Sequence, residues 1–261
     1  MSTIEHLIAS RWVQLLLGVI VVAAVSFIGY CLVHYYAALR VPIETENFGD
    51  SLSSEDPTDY GIALRLPSWR QRLFRALDPS LYTNAGNFAH AGHTFADQQR
   101  YIVAFERTPG KKESIAFLWL GINDLGQGAT ATQVEDSFKA TIVTLRAKSV
   151  QIIAATLTAY DANFYQKKST VDGVNVERLA FNNWLRKNYQ DIGVSVLVDL
   201  ASDPRIGPVG AGLNHRYFKD RLHMTFAGRQ VAADMFARGL EQYHRGTGMI
   251  TAVRPASVFA Q

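Results

Sequence analysis

The chain has 261 residues, 48% hydrophobic and 19% charged, enough for one domain with a full core and no need of disulfides or metals. Its 26 basic and 23 acidic residues leave a formal charge of +3, too balanced and too evenly scattered for nucleic-acid binding. A single cysteine, Cys31, excludes an intrachain disulfide framework and any zinc site built from CxxC pairs.

The first element is a membrane anchor. From Trp12 to Val33 the chain reads WVQLLLGVIVVAAVSFIGYCLV, with no charge and only Gln14 and Ser26 clearly polar. About 20 such residues cross a bilayer core as a helix. Trp12 at one end and Tyr30, Tyr35 and Tyr36 near the other suit the aromatic belts of the two interfaces. A cleaved signal has a shorter apolar core of about 7–15 residues that ends at small side chains. Here the run is longer and continues into His34-Tyr35-Tyr36. The sequence thus predicts a tail over 1–11, an uncleaved anchor over 12–36 with Cys31 packed inside it, and a linker over 37–46. Arg11 and Arg40, the nearest arginines on either side, balance one another. A short tail ahead of a large domain favours a single-pass inner-membrane protein whose domain lies on the periplasmic side.

The soluble domain is expected over 47–245, with a tail over 246–261. Ser68 precedes Trp69, Leu73, Ala76 and Leu77, an apolar stripe at helical spacing stopped by Asp78-Pro79. Ser114–Leu120 (SIAFLWL) is a short apolar run typical of a strand buried on both faces. Thr132 and Glu135 form a capping box ahead of Val134, Phe138, Ile142 and Leu145 on one helical face. Two more buried strands follow, over Val150–Leu157 and Val194–Leu200, and between them Asp172 caps a helix through Leu179 and Trp184. The last helix carries Val231, Met235, Phe236 and Leu240. Strands alternating with amphipathic helices predict a mainly parallel α/β sheet covered on both faces. Chemistry in such sheets sits at the carboxyl ends of the strands.

Three motifs fall at such positions. Gly49-Asp50-Ser51-Leu52 follows an unusually polar stretch (RVPIETEN), Gly121-Ile122-Asn123-Asp124 follows the SIAFLWL strand, and Asp220-Arg221-Leu222-His223 precedes the last helix. GDSL, then GxND, then DxxH, in that order, resembles the SGNH (GDSL) hydrolase family. The resemblance runs from about Asn47 to Tyr243. It implies a three-layer α/β/α sandwich, flavodoxin-like in topology, in which the polar stretch before GDSL is a central strand. It departs from the family at Met224, where a proline often follows the histidine, and in an insertion-like stretch over 53–66.

The residue types fit the chemistry of ester cleavage. Ser51 is a weak nucleophile until a base takes its proton, and His223 is a suitable base near neutral pH. Asp220, three residues earlier, can orient the imidazole and stabilise its charged form. The resemblance assigns the oxyanion hole to the backbone N–H of Ser51, the side-chain amide of Asn123 and a glycine N–H. Gly86 and Gly92 both lie in the stretch available for that glycine, and Gly92, followed by His93, Thr94, Phe95, Ala96 and Asp97, fits the family pattern better.

Other signals carry less. His90 and His93 have HxxH spacing but no acidic or cysteine partner at a known metal spacing, so they read as a polar loop and no metal is expected. Gly207, Gly210 and Gly212 match no phosphate-binding pattern, and GxSxG, the mark of the α/β-hydrolases, is absent. The expected activity is that of a membrane-anchored serine ester hydrolase without a cofactor, acting on a small-molecule, lipid or glycan ester through an acyl-enzyme on Ser51. The alternatives are an O-acetyltransferase or O-acetylesterase acting on cell-envelope polysaccharide, and a non-catalytic membrane-tethered protein that keeps the fold.

Overall fold

A computed structural model describes residues 16, 18–32, 42–55, 67–79, 81–107, 113–165 and 168–247. The chain divides at Val41/Pro42 into two units. In the first, residues 18–32 are helical and exposed, Cys31 among them. Residues 12–15, 17 and 33–36 of the predicted anchor, and the tail over 1–11, lie outside the described residues. Among the described residues no helix is long and apolar enough to cross a membrane.

The second unit holds a five-stranded sheet. The strands are β1 (Ile43–Gly49), β2 (Tyr82–Asn87), β3 (Ser114–Trp119), β4 (Gln151–Ala155) and β5 (Val196–Val198), and their spatial order is β2-β1-β3-β4-β5. All four pairings are parallel. The helices are α1 (Trp69–Ala76), α2 (Phe95–Ala104), α3 (Ile122–Gly126), α4 (Ala131–Ala147), α5 (Val171–Asn188) and α6 (Phe226–Thr247). Helix α1 packs with α6, while α2 packs with α4 and α4 with α5, so the sheet carries two separate helix groups. Phe117 and Trp119 of β3 meet Trp69 of α1 and Phe236 of α6, and the Trp69 and Phe236 rings stack at 3.8 Å. Ala116 and Leu118, pointing to the other face by strand alternation, are equally buried.

Helix starts follow from local chemistry. Ser68 with Gln71, Thr94 with Asp97 and Thr130 with Gln133 each form a reciprocal capping box. The cap of helix α4 is therefore Thr130, two residues before the expected Thr132, because Thr130 with Gln133 satisfies the first-turn N–H groups. Helix α5 is capped by Thr170 rather than Asp172, which falls in the first turn, where its charge suits the dipole. The expected strands are present and one to four residues shorter than their apolar runs. β2 (YTNAGN) has no apolar run to announce it.

Strand β1 begins at Ile43, inside the segment read as a linker, and is buried along its whole length. It sits between β2 and β3, as the family resemblance implies. Part of its polar groups, and of those of β2 beside it, is met from elsewhere in the chain. Arg70 donates to the carbonyls of Thr45 at 3.3 Å and Gly86 at 2.9 Å, Asn47 Nδ2 to Asn87 Oδ1 at 2.7 Å, and the Ser114 hydroxyl to Glu46 at 2.6 Å. Burial still pushes the Glu46 carboxyl up to about 7, against the Ser114 hydrogen bond, with the Glu44 charge adding to the rise. The chain leaves β1 toward β2 on one side and later returns to β3 on the other. That reversal of direction opens a crevice at the carboxyl ends of β1 and β3.

Candidate active site

The turn after β1 is built on Asp50. Its carbonyl accepts from the Ser53 and Ser54 N–H groups at 3.1 and 2.9 Å, and its Oδ1 from the Leu52 N–H at 2.9 Å. Only glycine serves at position 49, since a Cβ there would stand 2.7 Å from the Trp119 carbonyl oxygen at the end of β3. The turn leaves Ser51 at the strand end and nearly buried, 5% exposed. Desolvation pushes the Asp50 carboxyl up to about 7, opposed by the Leu52 N–H and reinforced by the charge of Asp124.

His223 arrives from the loop ahead of α6. Its Nε2 lies 3.0 Å from Ser51 Oγ, and its Nδ1 lies 2.8 Å from Asp220 Oδ2. Asp220 Oδ1 also accepts from the His223 N–H at 2.7 Å and the Leu222 N–H at 3.3 Å. Arg221 has φ 70°, the left-handed turn that brings both N–H groups onto one carboxylate. Burial alone would raise the Asp220 carboxyl. The hydrogen bond from the His223 ring, the ring's charge and the two backbone N–H groups outweigh it and hold Asp220 below its ordinary value. An ionised carboxylate only accepts, so in the neutral ring Nδ1 carries the proton and Nε2 is left to accept from the Ser51 hydroxyl.

Asn123 stands in α3, immediately after β3, and is 3% exposed. Its Nδ2 donates to the His93 carbonyl at 3.0 Å, and its Oδ1 accepts from the Tyr165 hydroxyl at 2.9 Å. The two glycines considered for the oxyanion hole differ in place. Gly86 lies within β2 opposite Glu46. Gly92 lies on the loop between β2 and α2 with φ +74° and open space around it. That loop is tied to the end of β1 by the His90 N–H on the Gly49 carbonyl at 3.3 Å, and to Asn123 through His93. Of the two, Gly92 is the one on the loop joined to the β1 end and to Asn123. The rings of His90, His93 and Tyr101 lie with centroids 4.9–5.8 Å apart, and among the described residues no cluster of three or more His, Cys, Asp or Glu could hold a metal ion.

Sequence reasoning missed the loop after β4. Its Asp161 carboxylate accepts from the Gly210 and Gly212 N–H groups at 3.0 and 2.7 Å, and its N–H donates to the Arg221 carbonyl at 3.1 Å. The glycine-rich stretch is a loop with one 3-10 turn over Ala211–Leu213, pinned by one carboxylate beside the histidine turn. Phe164, 53% exposed, lies with its ring 5.8 Å from that of His223. The expectation that functional residues follow strands was the available signal for Asp161, Phe164 and Tyr165. Asp124, next to Asn123, accepts from the Phe95 N–H with both oxygens at 3.2 Å, and burial pushes its carboxyl up to about 7 despite that hydrogen bond.

Chemically, the arrangement is a hydroxyl hydrogen-bonded to an imidazole that is in turn held by an ionised carboxylate, with a buried amide at the end of the neighbouring strand. Among solved structures, the fold resembles a lipolytic protein of the G-D-S-L family from Veillonella parvula, at 17% identity over 77% of this chain and 99% of that one, with a TM-score of 0.56. It also resembles a GDSL-like lipase from Bacteroides thetaiotaomicron, at 13% identity over 80% and 95% of the two chains and a TM-score of 0.55. An acetyl xylan esterase aligns at 17% identity over 74% and 98%, with a TM-score of 0.53. No match is found among the curated proteins. The model of the GDSL-like Lipase/Acylhydrolase family matches residues 48–231, a span that holds all three motifs and every residue of the hydrogen-bonded chain, and the protein belongs to that family.

Proposed function

We propose that the protein is a membrane-anchored serine ester hydrolase with Ser51 as nucleophile, His223 as general base and Asp220 as its orienting partner. Family membership makes it an ester-hydrolysing enzyme by class. The observation that supports the assignment of roles is the unbroken chain from Ser51 Oγ through the His223 ring to Asp220, at 3.0 and 2.8 Å. In this reading Ser51 Oγ attacks the ester carbonyl carbon and its proton passes to His223 Nε2. The carbonyl oxygen becomes an oxyanion, received by the Ser51 and Gly92 backbone N–H groups and the Asn123 amide. Collapse breaks the bond to the alkoxy oxygen, which takes the proton from His223 and leaves as the alcohol. Water then attacks the acyl-Ser51 carbonyl, gives its proton to His223, and releases the acid as that proton returns to Ser51.

The anchor belongs to the same proposal. The uncharged stretch from Trp12 to Val33 and the exposed helical residues 18–32 within it support a single span, with the catalytic domain on the periplasmic face. The full-length protein is expected to stay in the membrane pellet after a carbonate wash. A mature N-terminus beyond Tyr36 would contradict an uncleaved anchor. Substrate class is tested by kcat/KM on p-nitrophenyl esters of increasing chain length. Loss of activity beyond acetyl assigns the site to acetylated alcohols such as glycan esters. A preference for long chains assigns it to lipids, and no turnover of any ester contradicts the hydrolase reading.

A further inference from the structure

Tyr165 enters no motif and belongs to none of the roles above, yet its hydroxyl is one of two groups that fix the Asn123 side chain. A side-chain amide is planar, with its oxygen and nitrogen on opposite arms. His93 O takes one N–H of Asn123 at 3.0 Å, and Tyr165 donates to the amide oxygen at 2.9 Å. Both arms are then engaged, the amide plane is set, and one N–H is left over. Donation to the oxygen also draws charge from the amide and strengthens its remaining N–H as a donor. Burial, with the charges of Asp50 and Asp124, raises the Tyr165 hydroxyl above its ordinary pKa and keeps it protonated.

The Tyr165 ring has its own support. It lies against Gly126, the last residue of α3, so closely that a Cβ at that position would stand 2.3 Å from Tyr165 Cδ2. The Ser169 hydroxyl donates to the Gly126 carbonyl at 2.6 Å and holds the returning chain there. The bare backbone of α3 therefore gives the ring its place, three residues beyond the amide that its hydroxyl meets.

We propose that Tyr165 is a positioning residue of the oxyanion hole, which acts on ester cleavage only through Asn123. This rests on the reading of Asn123 as an oxyanion donor. An oxyanion donor matters most when the oxygen carries charge, so the effect belongs in kcat and not in KM. The test is a double-mutant cycle on the detergent-solubilised full-length protein, with the fastest p-nitrophenyl ester as substrate and folded content matched by circular dichroism. Tyr165→Phe keeps the ring on Gly126 and removes only the hydroxyl. It is expected to lower kcat about five- to tenfold, the scale of one neutral hydrogen bond, with KM within about twofold. In the Asn123→Ala background the same change is expected to do nothing further, because its target is gone. Gly126→Ala displaces the ring and is expected to lower kcat in the same way, again without effect once Asn123 is removed. A Tyr165→Phe protein with wild-type kcat overturns the proposal. A loss carried in full into the Asn123→Ala background also overturns it, since Tyr165 would then act on the loop as a whole. An Asn123→Ala protein with wild-type kcat is a distinct result that removes the oxyanion reading itself, and the proposal with it.

Discussion

The two halves of the site are assembled in different ways. In the proposed mechanism the half that handles the proton is local: Asp220 and His223 lie three residues apart on one loop, and one tight turn at Arg221 brings the ring and two backbone N–H groups onto a single carboxylate. The half around Asn123 is a meeting of three segments. The amide comes from the end of β3, its acceptor from the loop after β2 and its donor from the loop after β4, with 30 residues between His93 and Asn123 and 42 between Asn123 and Tyr165. A local device is fixed by its own short sequence. A composite one depends on the sheet order that brings the ends of β3 and β4 side by side.

The sharpest break in the local half is Asp220→Asn. An amide in place of the carboxylate allows the wrong imidazole tautomer, and the same change in another serine-hydrolase triad costs about 10⁴ in kcat. A loss of that order is expected here with KM little changed, measured by steady-state kinetics on a short ester. Full activity in Asp220→Asn would mean that another group orients the ring.

A smaller loss is expected in the composite half, where Asn123→Ala leaves nucleophile and base in place. One missing oxyanion donor costs about 10²–10³ in kcat, or about 3–4 kcal/mol. Steady-state kinetics on a short ester checks this, and the variant is still expected to react with a fluorophosphonate, only more slowly. A raised KM with kcat unchanged would show that Asn123 supports substrate binding and not the charged state.

The smallest effect concerns Asp124, which holds the α2 end of the composite half. Its carboxyl is pushed by burial from 3.8 in the unfolded chain to about 7 in the fold. The folded protein therefore keeps a proton that the unfolded chain releases, and this group lowers stability progressively as pH rises from about 4 to about 7. Asp50, lifted partly by the charge of Asp124, changes in the same direction. Asp124→Asn removes the ionisation, so its melting temperature relative to wild type is expected to climb across that range. Thermal melts at pH 4.5, 6 and 8 measure the difference, and parallel curves would contradict the buried, proton-binding carboxyl.

The contrast also explains what could be read from the chain itself. β3 (SIAFLW) announces itself as a doubly buried strand because its stabilisation is apolar burial, visible residue by residue. β1 (IETENFG) is as deeply buried, but Arg70, Asn87 and Ser114 meet part of its polar groups from far along the chain, so its central place was legible only through resemblance. β2 likewise forms because β1 offers it a ladder. Ser51, Asn123, Asp220 and His223 were marked by short motifs at strand and helix ends. Tyr165 had no motif, because its partner is chosen by the order of the strands and not by sequence spacing.

The proposed mechanism rests on Ser51 as the residue that carries the acyl group. Labelling of the full-length protein by a fluorophosphonate, followed by peptide mapping of the modified side chain, tests it most directly. One phosphonylated residue, Ser51, is expected, with neither labelling nor ester hydrolysis above background in Ser51→Ala at matched folded content. A label on any other residue, or wild-type hydrolysis by Ser51→Ala, would contradict it.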